Sequence, residues 1–179
     1  MNRVKLAVVG VGALGQHHAR ILSAMPDVEL VGVVDSREQQ GREIAVKFGT
    51  EWFASPDQIR PLVQGVVIAV PTIHHHDVGL PFLEAGIPVL MEKPLANSLQ
   101  AAQTLQRLAA FRRTTLQVGH VERFNPAFEL LQQKIDRPLY IRAQRVSPYT
   151  FRSTDIGVVH DLMIHDIDLI LALTGDSVV

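Results

Sequence analysis

Short apolar runs alternate with stretches of helical spacing through the first 120 residues, and this alternation limits the fold more than any other feature of the chain. Val4–Val9, Val28–Val34, Glu51–Ala54, Val66–Val70, Ile87–Met91 and Thr115–Val118 are β-branched, aliphatic or aromatic and bounded by Gly, Pro, Asp or Ser, so they predict strands. Between them, Ala13–Ala24, a segment capped by Ser36 and running to about Phe48, Asp77–Ala85, and a segment from Asn97 or Ser98 to about Phe111 predict helices. Ser55-Pro56-Asp57 opens a shorter one, with proline in its first turn. Strands separated by helices of about ten residues imply parallel βαβ units. Runs that are apolar throughout fit a sheet covered on both faces. The expectation is an α/β fold with a doubly wound parallel sheet, whose ligands bind beyond the carboxyl ends of the strands. Gly10, Asp35, Pro71, Lys93 and His120 all fall at that edge.

Composition narrows the partners. With 179 residues, 47% hydrophobic, 20% charged and a net charge of −1, the chain reads as an ordinary soluble protein without the basic face that nucleic acid or an anionic membrane would need. It has no cysteine, which rules out disulfides and thiolate metal sites and fits a reducing compartment. Leu6–Val9 is too short for a signal-peptide core, and Val66–Val70 is far below the ~20 residues of a membrane span. The expected location is cytoplasmic.

Gly10-Val11-Gly12-Ala13-Leu14-Gly15 matches G-x-G-x-x-G. The hexapeptide comes after a predicted strand, opens a predicted helix, and has Asp35 twenty residues beyond Gly15 at the end of the second strand. In that context it predicts a Rossmann dinucleotide site. Gly10 makes the tight turn, Gly12 admits the pyrophosphate, and Gly15 lets helix and strand pack closely. The helix N-terminus faces the phosphates. Asp35, next to Ser36 and Arg37, accepts from the ribose hydroxyls, which favours NAD. Arg37 is a guanidinium that can receive a 2′-phosphate, so NADP stays open.

Further stretches then occur in order. Val70-Pro71-Thr72 precedes His75; Ala85-Gly86 leads into Val89-Leu90-Met91-Glu92-Lys93-Pro94-Leu95-Ala96; then come Gly119-His120-Val121-Glu122-Arg123-Phe124-Asn125-Pro126 and a segment from Gly157 to Asp168 with Asp161 and His165 as D-x-x-x-H. With these the chain resembles the glucose-fructose oxidoreductase, inositol dehydrogenase and rhizopine-catabolism (Gfo/Idh/MocA) family over essentially its whole length. The resemblance implies an NAD(P)-dependent sugar or nucleotide-sugar dehydrogenase with a catalytic set Lys93, Asp161 and His165. It places Val70, Pro71, Thr72 and His75 along the cofactor cleft, Glu92 next to the cofactor in a structural role, and His120 and Arg123 beside the nicotinamide or substrate. The last two segments look most like the branch acting on UDP-N-acetylglucosamine at its 3-hydroxyl.

The residues support these roles physically. Asp161 and His165 are four apart, so a helix from Val158 to about Leu173 presents them on one face. Oxidising a secondary alcohol requires loss of the hydroxyl proton, and histidine suits that base. A lysine can hydrogen-bond the same oxygen and offset its developing charge. By itself Lys93 before a proline reads as a solvated turn, so its assignment leans on the resemblance.

The domain expectation is a Rossmann domain over residues 1–120 and the beginning of an α+β second domain over 121–179, with Leu139–Val146 as its first strand. Family members run to roughly twice this length and complete that domain with a large antiparallel sheet, so a shortened second domain and a homo-oligomer are expected. A non-catalytic NAD-binding or interaction module remains the alternative. No metal is expected. Adjacent His74, His75 and His76 point in different directions, and the pairs His160-Asp161 and His165-Asp166, which suggest a metal phosphohydrolase, belong to an all-helical fold that the strand-rich first half disfavours.

Overall fold

The strand that ends in Gly10 lies at the centre of one parallel sheet. A computed structural model describes residues 3–136, 138–146 and 157–175. They fall into two compact units, Met1–Val118 and Gly119–Val179. The first contains strands β1 (Val4–Val9), β2 (Val28–Val34), β3 (Glu51–Phe53), β4 (Gly65–Ile68), β5 (Val89–Met91) and β6 (Leu116–Val118), all paired in parallel in the order β3-β2-β1-β4-β5-β6. The order reverses between β1 and β4, the switch point where doubly wound folds bind their ligands.

Side chains alternate across the strands and divide the core into two layers. Ala7 and Val9 of β1 join Ile68, Phe82, Leu83, Met91 and Leu105 on one face. Val8 joins Ala19, Leu22, Ile44 and Ala45 on the other. Helices α1 (Gly15–Ala24) and α2 (Glu38–Phe48) supply the second layer. After the four-residue α3 (Pro56–Ile59), α4 (His75–Glu84) and α5 (Leu99–Arg112) supply the first. Each fully buried Phe or Leu contributes about 1.5–3 kcal/mol over its exposed state. Ser98 caps α5 by accepting from the Ala101 N–H at 3.2 Å.

Two local expectations need correction in this unit. β4 stops at Ile68 rather than Val70, because the Val70 carbonyl turns to the His75 ring at 3.0 Å. Ser36 does not cap α2; Arg37 occupies the N-cap position without a side-chain cap, and its N–H donates to Asp35 Oδ1 at 2.9 Å.

In the second unit α6 (Pro126–Lys134) starts at Asn125, whose Oδ1 accepts from the Ala127 N–H at 3.0 Å. A five-residue π-helical turn, Val159–Met163, leads into α7 (Ile164–Thr174). The single α-helix expected from Val158 is thus wound wider over its first turn, with the Ile164 N–H reaching back to the Val159 carbonyl. Residues 139–146 form no strand. A strand needs a neighbour for its ladder, and the six strands above are the only ones among the described residues. Leu139, Tyr140 and Val146 are largely exposed. No helix among the described residues is long and apolar enough to cross a membrane.

Candidate functional site

The three glycines of the loop after β1 meet different demands. Gly10 has φ +83°, and a Cβ there would lie 2.7 Å from the Val70 nitrogen. A Cβ on Gly15 would lie 1.7 Å from the Gly10 carbonyl oxygen, so α1 can leave β1 this closely only with glycine. Gly12 has no positive φ, and a Cβ there would touch only the Arg37 Nη2, at 3.7 Å. Nothing among the described residues requires glycine at 12. The space it keeps open lies over the start of α1, where Ala13 and Leu14 are exposed, Leu14 is an N-cap without a side-chain hydrogen bond, and no acidic residue occupies the first turn. The open, uncapped N-terminus of this ten-residue helix, beside a glycine, fits a pyrophosphate.

Asp35 is buried and serves two neighbours. Its Oδ2 accepts from the Val11 N–H at 3.0 Å, and its Oδ1 accepts from Arg37, at 2.9 Å from the backbone N–H and 3.4 Å from Nε. Gln40 of α2 donates to the Val11 carbonyl at 2.7 Å. Each carboxylate oxygen has two lone pairs, so Asp35 retains capacity to accept from ribose hydroxyls. The Arg37 side chain is 65% exposed and hangs over Gly12.

Lys93 is half-buried just past the end of β5. Its N–H donates to Glu92 Oε2 at 3.3 Å. Glu92 is buried, and its Oε1 lies 2.7 Å from His18 Nε2 on α1. This contact turns His18 inward and leaves its side chain only 21% exposed. Its signal is in the helix register, since Gly15, His18, Ala19 and Leu22 form one stripe. His75 does not line the cleft as expected. Its ring is 1% exposed, with Nδ1 2.8 Å from the Pro94 carbonyl and Nε2 3.0 Å from the Val70 carbonyl. Both neighbours are backbone oxygens, and a neutral ring donates to one of them, so burial and that bond hold the ring inside the protein. Thr72 is buried as well, while Pro71 is exposed.

In the second unit Asp161 lies in the π turn and His165 in the first turn of α7. π turns recur at functional sites. Arg123 forms a bidentate pair with Asp168, Nε to Oδ2 at 2.7 Å and Nη2 to Oδ1 at 2.6 Å. The hydrogen bonds to Asp168 raise the Arg123 pKa against the opposing effect of its partial burial, and Coulomb attraction adds to them. His120 Nδ1 lies 3.8 Å from the same carboxylate. Asp168, one turn beyond His165, therefore ties α7 to the segment around His120 and Arg123. Sequence reasoning misses this residue, although an acid inside the apolar run Ile167–Leu173 needs a partner. Arg145 adds contacts to Asp166 at 3.0 Å and Glu122 at 3.6 Å.

Comparison with known proteins bears on the family and the fold. The family of oxidoreductases with an NAD-binding Rossmann fold matches residues 4–120. UDP-N-acetylglucosamine 3-dehydrogenase from Acidithiobacillus ferrooxidans is 38% identical over 176 residues, covering 98% of this chain and 56% of its own. Its crystal structure superposes with a TM-score of 0.92, over 100% of this chain and 59% of that one. The NAD(+)-dependent scyllo-inositol 2-dehydrogenase of Bacillus subtilis is 30% identical over 99% of this chain and 56% of its own. GenD2 of gentamicin A biosynthesis, solved in complex with NAD, is 30% identical with a TM-score of 0.86, over 98% of this chain and 54% of that one. The chain thus spans little more than half the length of these relatives. A parallel sheet in this order, a glycine loop open over α1 and a buried acid at the end of β2 are what that NAD-binding domain requires, and the chain belongs to the Gfo/Idh/MocA family of NAD-binding oxidoreductases.

Proposed function

We propose that this chain carries the cofactor site and the catalytic residues of a dehydrogenase that transfers a hydride between NAD and a secondary hydroxyl of a nucleotide sugar, the 3-hydroxyl of UDP-N-acetylglucosamine being the leading candidate. The observation that carries the reading is the pairing, in one unit, of a loop open at Gly12 with a lysine whose backbone N–H is held just past the end of β5, two strands from β1 in the same sheet. The similarity over 98% of the chain to a UDP-N-acetylglucosamine 3-dehydrogenase supports the substrate.

In this reading the start of α1 and Gly12 take the pyrophosphate, Asp35 takes the ribose hydroxyls, and Arg37 lies over the adenosine half. The nicotinamide, when bound, supplies the hydride acceptor. Lys93 donates to the substrate oxygen and offsets the negative charge that develops as its proton leaves. His165 accepts that proton. Asp161 orients the substrate or the imidazole. His120 borders the same chemistry.

The test is calorimetric titration of the 179-residue chain with NAD and with NADP, then absorbance of reduced nicotinamide on adding UDP-N-acetylglucosamine, glucose or inositol. Saturable NAD binding with oxidation of the UDP-sugar, the oxidation being lost in Lys93→Met and in His165→Ala, supports the reading. NAD binding without oxidation of any sugar favours a cofactor-binding module. A folded chain that binds neither dinucleotide refutes the cofactor assignment.

A further inference from the structure

The segment Glu92-Lys93-Pro94 lies beyond the last ladder pair of β4 and β5, Ile68 with Met91. The Glu92 N–H still donates to the Ile68 carbonyl at 3.0 Å, which anchors the entry to the segment. Beyond that bond the segment is gripped from two helices on opposite faces of the sheet. From α1, His18 Nε2 holds Glu92 Oε1 at 2.7 Å, while the other oxygen of that carboxylate accepts from the Lys93 N–H. From α4, His75 Nδ1 holds the Pro94 carbonyl at 2.8 Å, and the same ring reaches the Val70 carbonyl at 3.0 Å. The lysine backbone is therefore flanked by one histidine-held acceptor before it and one after it.

We propose that His18 and His75 are positioning residues for Lys93, two imidazole struts that set where its ammonium group falls. The inference rests on the reading above that Lys93 meets the reacting oxygen. Neither histidine acts by contact with a ligand. His75 is 1% exposed, and His18 spends its Nε2 on a carboxylate that is itself buried. Their effect passes through the main chain. A lysine has four rotatable side-chain bonds, so its tip is placed no better than its backbone. A displacement of about 1 Å at a reacting group lowers turnover by roughly a hundredfold in the severe case. The struts also join the two halves of the site. His18 stands one turn beyond Gly15 on the helix that opens over the phosphate loop, and the Val70 carbonyl held by His75 belongs to the residue against which Gly10 packs.

The geometry dictates conservative replacements. His18 uses Nε2, which a glutamine amide can imitate. Each His75 nitrogen faces a carbonyl oxygen, and a neutral ring carries one N–H and so donates to one of them. With Nδ1–H toward Pro94 as that bond, asparagine can imitate it, whereas glutamine imitates a ring donating from Nε2 toward Val70. Only the first of these His75 bonds touches the Lys93-Pro94 segment.

The experiment compares His18→Leu, His18→Gln, His75→Asn, His75→Gln and Lys93→Met in the whole 179-residue chain, each checked by circular dichroism. Lysines are reductively methylated with 13C, and the Lys93 signal is identified by its absence in Lys93→Met. In the parent that signal is distinct from those of exposed lysines and moves when NAD is added. His18→Leu and His75→Gln shift it toward the exposed-lysine position and lower kcat by about tenfold or more, with KM for NAD changed by less than about threefold. His18→Gln and His75→Asn recover most of both. Unchanged Lys93 signal and kcat in folded His18→Leu and His75→Gln overturn the proposal. So do equal losses in His75→Asn and His75→Gln, which mark a merely structural histidine. The half-buried His18 keeps the test decisive if the His75 variants fail to fold. If the parent oxidises no sugar, or Lys93→Met matches it, the dehydrogenase reading fails separately, and the NMR comparison still decides whether the struts hold the lysine.

Discussion

Substituting alanine at each glycine of the phosphate loop separates what the fold needs from what the cofactor needs. In Gly15→Ala the new methyl lies 1.7 Å from the Gly10 carbonyl oxygen and 2.8 Å from its carbon, both backbone atoms. The start of α1 must move away from β1, and overpacking of this kind costs about 1–3 kcal/mol or more. Gly10→Ala combines a left-handed φ with a 2.7 Å approach to the Val70 nitrogen and costs about as much. Gly12→Ala meets one flexible guanidinium at 3.7 Å, an ordinary contact. Its stability change stays within about 1 kcal/mol and can be favourable, since alanine restricts the unfolded chain. Its methyl occupies the space kept for the pyrophosphate, so NAD affinity falls by at least about tenfold, or ~1.4 kcal/mol. Denaturant unfolding and calorimetric titration of the three variants check this. The reasoning is refuted if Gly12→Ala binds NAD as the parent does, or if it loses as much stability as Gly15→Ala.

Asp35→Ser removes the carboxylate that repels a 2′-phosphate and leaves Arg37 in place, so the ratio of NADP to NAD affinity rises by about tenfold or more in titrations, and Arg37→Ala in that background abolishes the gain. Arg123→Met strands the buried Asp168 carboxylate and lowers the unfolding free energy by roughly 1–3 kcal/mol. Because the folded-state pKa of Arg123 is raised, its contribution is complete below the unfolded value and is lost only as pH rises through the folded one, so the loss measured in Arg123→Met is constant from neutral to mildly alkaline pH. Phe82→Ala empties a fully buried position between α4 and the sheet and costs about 3–5 kcal/mol in denaturant unfolding.

The strands and their carboxyl edge are legible in the sequence because they are local. A run such as Val4–Val9 announces a buried strand by composition alone, and Gly10 and Asp35 are found where such runs end. Contacts that join distant parts of the chain are not legible in this way. The partner of His18 lies 74 residues away and that of Arg123 lies 45 away, and no periodicity encodes either. The family resemblance places His75 along the cleft, yet the two carbonyls its ring faces are there only once the Val70 and Pro94 segments fold beside it. The π turn before α7 escapes for a different reason, since a widened turn leaves the apolar pattern nearly intact. Leu139–Val146 alternates like a strand, but alternation describes a face, and a strand also needs a neighbour.

The Val11 peptide, gripped at its N–H by Asp35 and at its carbonyl by Gln40, has a consequence for evolution toward another cofactor. Fixing one residue's backbone costs about 1–2 kcal/mol of conformational entropy, and here folding has settled that cost before any dinucleotide arrives. The acid that would discriminate between cofactors is also one of the two hands holding the loop rigid. A change at position 35 that removes this acceptor therefore loosens the loop for both dinucleotides while altering the preference between them. Reversing the preference at full affinity calls for a residue at 35 that loses the charge but still accepts from the Val11 N–H, or for a second change that restores such an acceptor.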